Sequence, residues 1–418
     1  MITRVKIKGY KSLKDVEINL QPLTVFIGPN ASGKSNLFDA LRLLSRCVTS
    51  QTLGEAFKGH RGAPVEAFFY REGGLAWLLT QPAAQFTIEV DVKLSTEVVE
   101  TVERRIREIQ SGENRVVSET RLRYTLTVEM AMDSGHLGVK EERLVALNPE
   151  GTEKRSLEPF IQCLEGHLHL RVEDQDQSYK YLAGQEYTVA SISLHLPSHP
   201  HVAAFKEELS RWRFYYLDPE TMRAENPLKE AELLGSSGAD LAAFYHTLRA
   251  RHPRQFEALQ RALPLLLPEV QNLGVERTAE GLLRLLILES GVSYSARTAS
   301  EGTLRILGLL AITNPLVPTT VTGYEEPENG VHPRRLQLTA ELFKNVAEAS
   351  KQVLINTHSP KLPEYFAPDS LVICRKEKGE TRFTPFQDLG PLFRRDKIEQ
   401  ALEETPLTER VLRGDFGG

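Results

Sequence analysis

The chain has 418 residues, with 51 Lys plus Arg against 56 Asp plus Glu, a formal net charge of −5 and 41% hydrophobic residues. This ordinary globular composition excludes a histone-like protein acting through bulk positive charge, and equally an acidic disordered chain. Three scattered cysteines (Cys47, Cys163, Cys374) suit a reducing compartment rather than a disulfide scaffold or Cys-rich zinc site. No apolar stretch approaches the roughly 20 residues of a membrane span, and the first residues lack the apolar core of a signal peptide, so a cytoplasmic protein without membrane contact is expected.

In chain order, Val5 and Ile7, then Val16, Ile18 and Leu20, alternate with polar residues, which predicts a strand hairpin. Leu23 to Ile27 has no polar alternation, as in a strand covered on both faces, and stops at Gly28. Leu37, Ala40, Leu41, Leu44 and Val48 then fall on one helical stripe. From about residue 55 to 230, short alternating segments such as 86–92 and 122–128 predict antiparallel strands, with a charged helix near 96–110 inserted. Helices are expected at 239–250 and 254–267, with Pro264 and Pro268 breaking the second. Apolar strands at 282–288, 319–324 and 352–356, with a helix near 333–349, predict a return to the βα alternation of a parallel sheet. One more helix is expected at 397–404.

Residues Gly28, Pro29, Asn30, Ala31, Ser32, Gly33, Lys34 and Ser35 match the phosphate-loop pattern at every specified position, between a strand and a helix. The glycines let successive N–H groups turn inward as an anion cradle. Lys34 is expected at the β- and γ-phosphates and Ser35 at Mg²⁺, with the helix N-terminus adding its partial positive charge. Downstream, an apolar strand ends in Glu325 and Glu326, where a parallel sheet holds metal and positions water. Adjacent strand side chains point oppositely. Glu325 is therefore assigned to the metal and Glu326 to the attacking water, the strand ending between them. His358, after the apolar run Val353 to Ile355, is expected at the same edge, near the γ-phosphate or the water. Ser300 and Gly302 open a helix; taken alone they read as an ordinary N-cap.

In this order the pieces resemble the ABC-type ATPase heads of the SMC/RecF/OLD group, in particular the shorter bacterial AAA-type ATP-binding proteins related to OLD and RecF. The residues that carry the likeness are KGYKSLKDVEINL, GPNASGKSN (which brings in Asn36), SEGTLRILGLLA, YEEPENGVHP and INTHSP. The resemblance implies an α/β P-loop NTPase with a two-lobed head, an antiparallel β lobe plus a parallel βα core, and an inserted α/β region. Residues 1–54 would form the first part of the head and 55–235 the inserted lobe. Residues 236–385 would form the second part and 386–418 a tail. It further implies that Gly28 to Ser35 form the Walker A loop, Ser300 and Gly302 the signature that touches a partner protomer's γ-phosphate, Glu326 the catalytic carboxylate and His358 the switch histidine. Residues Pro327 to His332 would face the dimer partner. The signature reads ASEGT rather than LSGGQ, and Glu325 stands where longer-armed relatives carry aspartate, which points to slow hydrolysis. Gln81 and Gln85 are undistinguished candidates for the glutamine loop.

The stretch between Ser35 and Ser300 carries no long heptad arm, and the residues after His358 contain no D-x-D cluster of a Toprim nuclease. The leading expectation is thus an ATP- and Mg²⁺-dependent switch that forms an ATP-dependent homodimer, in DNA maintenance or defence, with DNA or a separately encoded effector as partner. The alternative is a nucleotide-sensing scaffold that docks the effector and never binds DNA. Arg104, Arg105, Arg107, Arg121 and Arg123 read first as a solvated helix face and second as contacts to a phosphate backbone.

Overall fold

The computed structural model describes residues 1–388 apart from 71–72, 110–115, 174, 176, 193–195 and 350; the helix expected at 397–404 lies outside them. Two compact units divide the chain, each assembled from separated segments. The first takes Met1–Gln21, Pro29–Trp212 and Cys374–Thr384, and the second is built on Pro22–Gly28 and Arg213–Ile373.

The first unit holds an eight-stranded sheet in the order Leu13–Asn19, Ile2–Tyr10, Ala83–Lys93, Arg121–Ala131, Leu137–Ala146, Ile161–Leu164, His167–Val172 and Gln177–Leu182. The alternation that predicts the opening hairpin sets its register: Val5 faces Ile18 and Ile7 faces Val16, all four buried. A register slip of one residue would turn that apolar set to solvent. Helix Lys34–Thr49 buries Leu37, Leu41, Leu44 and Val48 as one stripe, and its Ser45 hydroxyl donates to the Leu209 carbonyl (2.8 Å) in helix Pro200–Ser210. Helix Thr96–Ile109 buries only Val98, Val102 and Ile106, an i, i+4 stripe. Arg121 and Arg123 sit on a strand, which corrects their assignment to a helix face. Arg123 forks onto Asp91 through two 2.7 Å bonds, and Arg105 pairs with Glu207 at 3.1 Å.

One carboxylate is sealed in this unit. Glu142 accepts from the N–H groups of Val189 (2.6 Å) and Ala190 (2.9 Å) and from the Tyr124 hydroxyl (2.9 Å). Burial outweighs these three donors and pushes its carboxyl up to about 7.

In the second unit, Trp212–Tyr215, Val321–Glu325, Gln352–Thr357, Leu23–Ile27 and Leu371–Glu377 lie side by side in that order. The last four pair in parallel. Every residue of Val321–Glu325 and Gln352–Thr357 is buried, as continuous apolar runs require of a sheet covered on both faces. Helix Leu336–Glu348 covers one face, its Phe343 ring 4.6 Å from that of Tyr324.

Two expectations need correction here. Leu282–Glu289 does not join the parallel sheet. It pairs antiparallel with Val270–Arg277, Val292–Ser295 and Asn226–Pro227. Its burial alternates, with Leu283, Leu285 and Ile287 inside, the mark of a strand covered on one face. Pro264 does not break its helix, which runs Pro253–Leu266. In the last turn a proline forfeits only one intrahelical hydrogen bond.

Candidate functional site

Within the first unit the phosphate loop is a built cradle. Ala31 (φ 63°) and Gly33 (φ 100°) take the left-handed conformation that turns the chain into helix Lys34–Thr49. A side chain on Gly33 would stand 1.9 Å from Thr381 Oγ1 and 2.8 Å from Ser12 Oγ. Those two hydroxyls bond each other (2.6 Å), Asn36 donates to Ser12 (2.7 Å), and the Ser32 carbonyl accepts from Thr381 (3.0 Å) and from the Cys374 thiol (3.4 Å). Burial pushes that thiol up to about 11, so it remains protonated and able to donate. Lys34 folds over the loop, its Nζ 2.9 Å from the Pro29 carbonyl. The helix has no acidic residue in its first turn, and the buried Ser32 hydroxyl has no hydrogen-bond partner among the described residues. A helix start without carboxylates suits an anion.

Within the second unit, strand register gathers the other chemistry at one edge. Ile27, which precedes Gly28, pairs with Thr357, and Glu325 pairs with Asn356. The strand ends at Glu325, and Glu326 turns the chain with φ 50°, so the two carboxylates leave in different directions. Glu325 is buried, whereas the Glu326 side chain is 30% exposed. Glu326 Oε2 accepts from the Asn329 amide (2.6 Å), its Oε1 stands 3.4 Å from His358 Nδ1, and its N–H donates to the Asn356 carbonyl (2.8 Å).

Glu328, expected only as part of the partner-facing loop Pro327–His332, organises the histidine turn. Its Oε1 accepts from the Thr357 hydroxyl (2.7 Å) and the N–H groups of His358 (3.1 Å) and Ser359 (3.0 Å), and lies 3.5 Å from His358 Nδ1. The only sequence signal was its place between Pro327 and Asn329 in an acidic turn. We expect Glu328→Ala to slow ATP turnover about tenfold through a misplaced imidazole. Glu328→Gln, which keeps an acceptor oxygen, should recover most of the rate in a phosphate-release assay.

Ser300 caps its own helix, Glu301–Ile312: its hydroxyl accepts from the Thr303 N–H (3.1 Å), as the N-cap reading requires. Gly302 is fixed by space, since a Cβ there would stand 2.3 Å from the Gly330 carbonyl oxygen in the turn after Glu326. A Gly302→Ala protein is expected to melt several degrees lower, a loss of about 1–3 kcal/mol from overpacking, measurable by calorimetry. Arg305 of the same helix joins Glu325, Glu326, Tyr215 and Tyr324 around a cavity of about 10 Å³. Gln81 lies in a turn against the Trp77 carbonyl and Gln85 in strand Ala83–Lys93, and neither is singled out as the glutamine loop.

A phosphate-loop sequence after one strand of a parallel sheet, in an α/β chain, defines a P-loop fold. Residues 1–131 match the family model described as "AAA ATPase domain", and residues 169–362 the one described as "AAA domain, putative AbiEii toxin, Type IV TA system". The chromosome partition protein Smc of Halothermothrix orenii is 39% identical over 66 residues, 15% of this chain and 5% of that protein, so the chain spans only a small fraction of that relative. Among solved structures, the SmcHead bound to the C-winged helix domain of ScpA aligns over 92% of this chain and 97% of its own, with a TM-score of 0.53 and 14% identity. The Smc head domain with an extended coiled coil bound to the C-terminal domain of ScpA, derived from Pyrococcus furiosus, aligns over 96% and 98%, with a TM-score of 0.51 and 12% identity. Both are likenesses of fold. The chain has the fold of an SMC-type ATPase head. Among the described residues no helix is long and apolar enough to cross a membrane.

Proposed function

We propose that this head is an ATP-hydrolysing switch, which closes head to head with a second copy over two ATP and serves DNA maintenance or defence against mobile elements. The loop amides from Gly28 to Asn36 take the phosphates, with Lys34 on the β- and γ-oxygens. Ser35 and Glu325 would hold Mg²⁺, whose charge would offset that of the phosphates. Glu326 takes the proton of the attacking water, and His358 holds the γ-phosphate or that water in line. Ser300 and Gly302 complete the partner's site through the exposed start of their helix. Loss of the γ-phosphate then removes what favours the closed form.

The observation that carries this reading is the Glu326 carboxylate. It is steadied by Asn329 at 2.6 Å, faces His358 at 3.4 Å and remains part-exposed in the turn that ends a fully buried parallel strand. Its test is light scattering of Glu326→Gln with ATP. A doubled mass with ATP and a single-chain mass without it are expected; a variant that binds ATP tightly and stays single contradicts the sandwich.

The scaffold reading gains from one feature. Arg123 and Arg105 are spent on Asp91 and Glu207, and Arg4 is spent on Glu17 and Glu89. Binding to duplex and single-stranded DNA should therefore be measured across salt. A falling log-linear affinity supports direct DNA contact, and a flat, weak response with and without ATP supports the scaffold.

A further inference from the structure

The most anomalous side chain near the sheet edge is Asn356. It is 1% exposed, yet neither Oδ1 nor Nδ2 has a hydrogen-bond partner among the described residues. A buried amide left unpaired costs about 1–3 kcal/mol per group, so its retention asks for a partner from outside the chain. Register says where that partner sits. Asn356 is directly across from Glu325 on one side and from Phe26 on the other, so the three side chains share one face of the sheet. Phe26 offers no side-chain hydrogen bond. Tyr324 and Phe343 pack together on the opposite face, where helix Leu336–Glu348 lies. The amide therefore lies beside the buried carboxylate, one residue before the strand end.

We propose that Asn356 is a positioning residue for the divalent cation. Its carboxamide would accept through Oδ1 from a water of an ion held at Glu325, and Nδ2 would donate to a carboxylate oxygen beside that ion. A hard cation such as Mg²⁺ keeps several waters, and those waters need oriented acceptors. An amide supplies one without adding charge. This inference rests on the ATP reading above, and its test separates the two.

The experiment measures binding of a fluorescent ATP analogue in EDTA and in Mg²⁺, together with melting of the nucleotide-free protein. Wild type is expected to bind more tightly with Mg²⁺. Asn356→Leu, close in volume and without polar atoms, should lose about tenfold of that Mg²⁺-dependent gain. Its affinity in EDTA should stay within about twofold, and its melting temperature should hold or rise, because no unpaired amide remains buried. Asn356→Asp adds a carboxylate to the shell, so it should tighten binding of Mn²⁺ alone, read by electron paramagnetic resonance. A Leu variant that keeps the full Mg²⁺ gain, or an Asp variant with unchanged Mn²⁺ affinity, overturns the role of Asn356 and leaves the ATP reading standing. A wild type that binds the analogue in neither condition overturns both.

Discussion

Glu326→Gln is expected to slow phosphate release from ATP by about 100- to 1,000-fold while leaving ATP affinity within about threefold. The substitution preserves the shape of the side chain and an oxygen to accept the 2.6 Å bond from Asn329. It removes the basic oxygen that faces His358 and would accept the proton of the attacking water. The left-handed backbone at this residue is unaffected, because Gln carries the same Cβ as Glu. A variant that still turns over ATP within about fivefold of wild type would remove Glu326 from the chemistry. The lesser effect on binding matters as much: it separates a lost base from a damaged phosphate site.

The largest expected effect on stability comes from Glu142→Ala. It strands the N–H groups of Val189 and Ala190 and the Tyr124 hydroxyl in a fully buried place. Each unpaired buried donor costs about 1–3 kcal/mol, so the three together cost at least about 3 kcal/mol, read as a melting temperature lower by about 10 °C. The loss should depend on pH. The folded carboxyl is pushed up from 4.5 to about 7 by burial. Between those values the folded chain keeps a proton that the unfolded chain releases. The stability this group contributes is therefore fullest below pH 4.5 and is lost as pH rises through 7. The difference in melting temperature between wild type and Glu142→Ala should accordingly be larger at about pH 5 than at about pH 8. A difference that grows toward alkaline pH contradicts the buried, proton-holding carboxyl.

The parts of this molecule legible in its sequence are those written in consecutive residues. The hairpin, the strand–loop–helix around Gly28 to Ser35 and the Glu325–Glu326 strand end all appear where periodicity and motif place them. Thr381 and Cys374 hold the loop through the Ser32 carbonyl from more than 340 positions away, and no local pattern marks them. Glu328 reaches the histidine turn, and Asn356 comes to lie beside Glu325, through the register of one parallel strand against another, which is set by topology rather than by neighbours in sequence. Leu282–Glu289 shows the converse error. An apolar run identifies a strand without saying whether one face or two will be covered, and so without saying which sheet it joins.

We propose that ATP retention and turnover depend on both the loop lysine and the carboxylate after strand Val321–Glu325. Nucleotide retention tests it directly. Glu326→Gln is mixed with stoichiometric ATP and Mg²⁺ and passed through a desalting column, and the retained nucleotide is identified. About one ATP per chain, still unhydrolysed, is expected; Glu326→Gln combined with Lys34→Ala should retain none. Retention of ADP by the single variant, or of ATP by the double, would contradict that joint dependence.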